Sequence, residues 1–160
     1  MIETWSNNIN RFIELSNKYK VRMIMVGGGA VNFHGYQRHS ADVDFWIDTT
    51  ESNLLNLIEV FNEMGYQIVE FPNSVRNQHQ NISVKFSPTE LILELITNFS
   101  TSKTFDEAYE KSVIAEIEGQ KILKWRVISY DDLIDSKLKA NRPKDLLDVQ
   151  QLQKINRKKK

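Results

Sequence analysis

The 160-residue chain has no cysteine, only three prolines and six glycines, no long apolar run and no net charge, 21 basic residues matching 21 acidic ones. Each shortage closes off a class of function. Without cysteine there are no disulfides, no thiol nucleophile and no thiolate-ligated zinc, a composition that suits a reducing cytoplasm. A balanced charge gives no global field to draw in nucleic acid or an anionic membrane, so such binding would need a local patch. No apolar stretch approaches the roughly 18 residues that span a bilayer, and Met1–Ser6 shows neither the basic start nor the apolar run of a secretory leader. A cytoplasmic protein with no membrane partner is therefore expected. What is present is ordinary for a globular domain: 41% apolar and 26% charged residues, in a chain long enough to bury a real core.

Hydrophobic periodicity supplies the elements. Ile9, Phe12, Ile13 and Leu15 make a helical stripe in the first twenty residues. Val21–Val26 reads as a buried strand stopped by Gly27, Gly28 and Gly29, Ala30–His34 as a short helix closed by Gly35, and Asp42–Asp48 as a second strand. Thr49 and Thr50 are N-cap candidates for a helix that carries Leu54, Leu57, Ile58 and Phe61 and ends at Gly65. Tyr66–Phe71 reads as a short strand, 72–81 as a polar loop, Ile82–Phe86 and Leu91–Thr97 as strands, and Thr104–Lys111 as a helical turn or two. Glu118-Gly119 is a hairpin turn between Val113–Ile117 and Lys121–Val127. Ser129 caps the first of two final helices and Pro143 opens the second. This order describes one α+β domain over residues 1–160. A mixed β-sheet with flanking helices fills the core to about residue 127, and C-terminal helices over about 128–160 pack on it.

Chemistry concentrates in two places. Gly27-Gly28-Gly29 lacks the Gly-Lys-Ser/Thr of a P-loop, and Asn32 stands where a dinucleotide fingerprint needs its third glycine. The turn nonetheless opens a helix whose first amides suit phosphates. Asp42 and Asp44 point to one face of their strand, about 7 Å apart along the backbone, opposite Val43, Phe45 and Ile47. Aspartate is a poor strand former, so Asp42, Asp44 and Asp48 in one strand need a reason. Mg²⁺ coordination by Asp42 and Asp44 is such a reason, and two ions roughly 3.5–4 Å apart would activate an attacking hydroxyl and neutralise leaving pyrophosphate. Asp48 reads as turn chemistry. Glu94, alone in Leu91–Ile96, must be paired, protonated or bound to metal, and is the candidate third ligand, with Glu90 in reserve. His34 and His39 have no evident third partner for zinc. Arg157–Lys160 is a basic end, read as solvated, whose four charges would hold RNA only weakly.

The run Val26-Gly27-Gly28, thirteen residues, then Asp42-Val43-Asp44-Phe45 resembles the signature of the DNA polymerase β-type nucleotidyltransferase superfamily. The likeness is closer to its small bacterial members, the lincosamide nucleotidyltransferases and the nucleotidyltransferase-type toxins of abortive-infection systems. Gly29-Ala30, Arg38 and the stretch Lys137-Leu-Lys-Ala140-Asn-Arg142-Pro-Lys144-Asp145-Leu-Leu-Asp148 extend it over residues 23 to 152. The resemblance implies a nucleotidyltransferase fold and metal-dependent transfer of an NMP from an NTP to a hydroxyl acceptor. It implies Asp42, Asp44 and Glu94 as catalytic residues and metal ligands, with Glu94 sharing a metal or acting as base. Gly27, Gly28, Gly29, Arg38, Lys137 and Lys144 would hold the nucleotide, whereas Asp145 and Asp148 read as structural. Two Mg²⁺ ions and an NTP are the expected cofactor and substrate. A small hydroxyl compound, a tRNA end or a partner protein is the expected acceptor, and a homodimer is compatible with the short chain. The alternative is a non-catalytic nucleotide-binding or toxin/antitoxin regulatory module with the same fold.

Overall fold

Strand β1 (Met23–Val26) has all four side chains buried, and the sheet grows outward from it. The computed structural model describes residues 7–119 and 121–159; Met1–Ser6 and Lys160 of the basic end lie outside the described residues. β1 lies antiparallel to β2 (Asp42–Ile47), with Val26 opposite Asp44 and Met25 opposite Phe45. β2 runs parallel to β4 (Ile92–Ile96), which pairs antiparallel with the short β3 (Ile82–Val84). On its other side β1 runs parallel to β6 (Ile122–Val127), and β6 pairs antiparallel with β5 (Val113–Glu118). The order β3-β4-β2-β1-β6-β5 makes one mixed six-stranded sheet. With its flanking helices this is an α+β, nucleotidyltransferase-like fold.

Helices cover the sheet where the apolar periodicity requires it. On one face α1 (Asn7–Lys18) and α3 (Glu51–Glu63) bury Ile9, Phe12, Ile13, Leu54, Leu57 and Phe61 with Phe45, Leu93 and Leu95. Phe12 is the hinge of this layer, its ring centroid 6.3 Å from Phe45 and 5.6 Å from Phe61. On the other face Trp46 packs on Phe99 and on Phe105 of α5 (Phe105–Lys111), at 5.2 Å each. A capping box, Thr104 with Glu107, starts α5. That face of β2 is thus apolar at its Trp46 end and acidic at its Asp42 end. The short α2 (Gly27–Phe33) follows β1 directly. Helix α6 (Tyr130–Ala140) is capped by Ser129 and stopped by Asn141 in the left-handed region, and α7 (Pro143–Lys158) begins on Pro143. The two helices pack on each other. No helix among the described residues is long and apolar enough to cross a membrane.

Three expectations need correction. The glycines are the first turn of α2 rather than a turn that precedes it. Tyr66–Phe71 is not a strand, because Asn62 of α3 satisfies both backbone groups of Ile68 at 2.8 and 3.1 Å, leaving Val69 in solvent and Phe71 in the core. The 72–81 loop contains one helical turn, α4 (Asn73–Arg76), which sets Val75 into the core. Asp48 does act as turn chemistry: its Oδ1 accepts from the Thr50 N–H at 3.1 Å, and it pairs with Arg22.

His34, at the end of α2, lies 2.7 Å by its Nε2 from the Ile128 carbonyl and edge-on to Tyr130. Burial, more than the hydrogen bond can offset, and with help from Lys159, holds its pKa below the usual histidine range. Below about pH 6.5 the unfolded chain therefore takes up a proton that the folded chain refuses, and stability falls as pH drops. Thermal melts at pH 7 and pH 5 should show a larger loss for wild type than for His34→Gln. An equal loss would mean that His34 is not the group responsible.

Candidate active site

The pairing of β2 with β4 sets Asp44 directly beside Glu94 and Asp42 beside Ile92. Residues abreast in neighbouring strands share a sheet face, and i, i+2 residues of one strand do too. Asp42, Asp44 and Glu94 consequently converge, each offering a ligand oxygen within 4.8 Å of the others, all three half-buried. Glu94 makes no ion pair among the described residues; its Oε1 accepts only from the Asn81 amide, at 3.4 Å. Glu90 is not part of the cluster, because Asn8 of α1 holds both its oxygens at 3.2 Å.

Asp44 is the least comfortable of the three. Its Oδ1 is buried with no hydrogen-bond partner among the described residues. Burial first, then the charges of Asp42 and Glu94, push its pKa up to about 7, and only Lys137 and Lys144 pull the other way. Three hard oxygen donors crowded together, one of them orphaned, are the donor set that Mg²⁺ takes. The residues present therefore fit that ion.

The glycines fit around this carboxylate. Gly27 has φ +64°, and a Cβ there would collide with Asp44 Oδ2. At Gly28 a Cβ would meet Ser40 at 2.6 Å. Ser40 in turn donates to the Asp42 carbonyl at 2.9 Å, and Asn32, the residue that breaks the dinucleotide pattern, accepts from the Arg38 N–H at 2.9 Å. Neither Ser40 nor Asn32 was singled out by sequence as shaping the site. Only a fixed spacing to Gly28 and Arg38 could have flagged them.

The cations expected at the nucleotide occupy a buried ionic network. Arg38 donates from Nε and Nη2 to the two oxygens of Asp148, each at 3.0 Å, while its Nη1 faces Gly28. Lys137, nine-tenths buried, lies 3.0 Å from Asp148 and 3.3 Å from Asp145. Asp145 also holds the side chain and backbone N–H of Arg142. Burial raises the Asp145 pKa, but Arg142 and Lys137 together bring it below the ordinary carboxylate value. Lys144 is exposed, near enough for its charge to reach Asp44. Arg38, Lys137 and Lys144 thus surround the acids without touching them, and Asp145 and Asp148 are the anchors that hold two of the three. His39 is exposed and His34 is engaged elsewhere, so they do not meet.

A glycine turn thus lies against paired strand aspartates with a third acid alongside, on a nucleotidyltransferase-like sheet. The family comparison agrees: residues 4–158 match the model for nucleotidyltransferases of unknown function (DUF6036), and the chain belongs to that family. No curated protein is significantly similar to it.

Two outcomes follow from this geometry. Asp44 has a folded pKa raised above its unfolded value, so the folded state keeps a proton that the unfolded state loses, and stability falls as pH rises from about 4 to about 7. At pH 8 in EDTA, Asp44→Asn should be more stable than wild type by about 2–4 kcal/mol, with little difference at pH 4. Mg²⁺ should raise the wild-type melting temperature and not that of Asp44→Asn. A destabilised Asp44→Asn at pH 8 would contradict the placement of that charge. Gly27→Ala should lose about 1–2 kcal/mol from the left-handed backbone alone and, by displacing Asp44, should also abolish the Mg²⁺ shift. A melt of that variant matching wild type in both respects would show that the turn tolerates a side chain.

Proposed function

We propose that this protein is a polymerase β-type nucleotidyltransferase that moves an NMP from an NTP to a hydroxyl acceptor and releases pyrophosphate. The observation that carries the reading is the convergence of Asp42, Asp44 and Glu94 against Gly27, with one Asp44 oxygen buried and unpartnered. Membership of a family described as nucleotidyltransferases supports it at the level of the reaction class. Asp42, Asp44 and Glu94 would hold Mg²⁺, two ions being the expected complement. Bound there, the metal would supply charge neutralisation for the triphosphate and a more acidic acceptor hydroxyl.

The chain's own residues do the rest. A Cβ at Gly27 or Gly28 would collide with Asp44 or Ser40, so the two glycines let the backbone lie against the acids. Lys137 and Lys144 offset the negative charge that gathers around Asp44 when a triphosphate arrives. Asp145 and Asp148 hold Lys137 and Arg38 in place, so their orientation costs little at the moment of reaction. A carboxylate of the acid cluster accepts the proton of the acceptor hydroxyl. Phosphoryl-type transfer depends mainly on positioning and charge, which these groups provide.

Incubation with each α-labelled NTP and Mg²⁺, in the presence of cell extract, should label an acceptor with wild type. Asp42→Asn, Asp44→Asn and Glu94→Gln should each lower labelling by about a thousandfold or more. EDTA should do the same. Equal labelling by wild type and Asp44→Asn would sink the mechanism.

A further inference from the structure

A cavity of about 260 Å³ opens beside the acid cluster, with Gly27 and Asp44 on its border. Leu133, Ser136, Lys137 and Ala140 form its α6 wall, and their i, i+3, i+4, i+7 spacing puts them on one helix face. The sheet supplies the opposite wall. Ile96 stands two residues beyond Glu94 on β4, so it shares the face that carries the acids. Phe99 extends that wall, its ring packed on Trp46 with centroids 5.2 Å apart. The cavity is thus a slot between two layers, and its character changes along its length. Asp44, Lys137, Arg142 and Asp145 make one part charged, whereas Ile96, Phe99 and Leu133 make the other apolar. Both walls run in the same sense. Trp46 and Ile96 follow the acids on β2 and β4, and Leu133 lies one turn before Lys137 on α6.

We propose that the apolar part of this slot holds the heterocyclic base of the nucleoside triphosphate, stacked on Phe99 with its edge met by Asn98. This rests on the transferase reading above. A nucleotide has the same polarity as the slot, charged at its phosphates and flat-faced at its base. Trp46, which carries Phe99, lies two residues and roughly 7 Å along β2 from Asp44, a gap that a ribose bridges. Gly27 and Lys137 belong to the charged part, so they serve the phosphates and leave the base to other residues.

The two residues divide that work. An aromatic ring stacks on any base, since every base has a flat face, so Phe99 supplies affinity. Discrimination needs donors and acceptors at the base edge. The Asn98 amide carries one of each kind, borders the slot, and makes no side-chain hydrogen bond among the described residues. Ser136, by contrast, already donates to the Leu133 carbonyl at 2.8 Å. The width of the slot is set before a ligand arrives. Asp135 of α6 accepts from the Thr101 hydroxyl at 2.9 Å, the Ser102 N–H at 2.8 Å and the Ser102 hydroxyl at 2.9 Å. The segment that follows Phe99 is therefore fastened to the helix that forms the facing wall.

Calorimetric titration with Mg²⁺ and no acceptor tests this, with ATP, CTP, GTP, UTP and inorganic tripolyphosphate as the probes. Wild type should bind its preferred NTP at least about tenfold more tightly than tripolyphosphate. Phe99→Leu keeps an apolar side chain against Trp46 but removes the flat face. It should weaken NTP binding by roughly tenfold while holding tripolyphosphate affinity within about twofold. Asn98→Ala, at an exposed position, should shrink the spread of affinity among the four NTPs to under about threefold, again with tripolyphosphate unchanged. Should Phe99→Leu fail to fold, the wild-type comparison and Asn98→Ala decide the matter. Equal wild-type affinity for NTPs and tripolyphosphate, undiminished NTP binding by folded Phe99→Leu, or the same spread in Asn98→Ala as in wild type would overturn the assignment. The transferase reading would stand in each of those cases. Wild type that binds neither an NTP nor tripolyphosphate with Mg²⁺ would overturn both.

Discussion

Asp44 and Glu94 lie abreast on parallel strands, with Asp42 two residues away on the same face, and three like charges are forced into a half-buried corner. Left to themselves these groups repel and lose hydration, which is why Asp44 holds its proton to about pH 7. The surroundings are arranged around that repulsion. Lys137 and Lys144 lower it at a distance, Gly27 yields space for the Asp44 carboxyl, and the Asn81 amide donates to Glu94. A fold selected for stability alone would place apolar residues at these sheet positions, as it does two residues on at Trp46 and Ile96. The corner is destabilised for a reason outside the folded chain.

That placement follows from strand pairing, and strand pairing was only half legible in the sequence. The alternation of Asp42-Val43-Asp44-Phe45 shows which residues share a face of β2, because period two is a local property. It cannot show that β4 rather than β6 lies beside β2, since pairing is decided by the whole sheet. The apolar context of Glu94 compensated for this: a lone acid in Ile92–Ile96 needs a partner wherever it lies. The apolar periodicity of α3 and the Ser129 cap of α6 were equally legible.

The failures are instructive in the same terms. Tyr66–Phe71 has strand composition, but Asn62 captures the backbone of Ile68 before any neighbouring strand can. A side-chain amide six residues away is invisible to a pattern of apolar residues. The part played by Ser40 and Asn32 was hidden likewise, because close packing against Gly28 and a bond to the Arg38 backbone leave no compositional trace. Arg38 and Lys137 were noticed as cations, yet their buried aspartate partners lie 110 and 8 to 11 residues away in sequence and were read only as structural, without their partners.

Those partners change how the C-terminal helices should be understood. Asp148, almost wholly buried, receives Arg38 from the loop before β2 and Lys137 from α6, so one carboxylate of α7 ties three segments together. Removing one member of such a buried set typically costs about 3–5 kcal/mol because the remaining charge is left uncompensated. The two helices therefore cannot drift from the sheet without breaking charged contacts beside the acid cluster. Three cations, Arg38, Lys137 and Arg142, share two buried anions, Asp145 and Asp148, which leaves one positive charge in excess within the network. A network built only to fasten helices would gain nothing from that imbalance. Under the transferase proposal, this network beside three crowded carboxylates and a glycine turn would be completed by a bound polyphosphate.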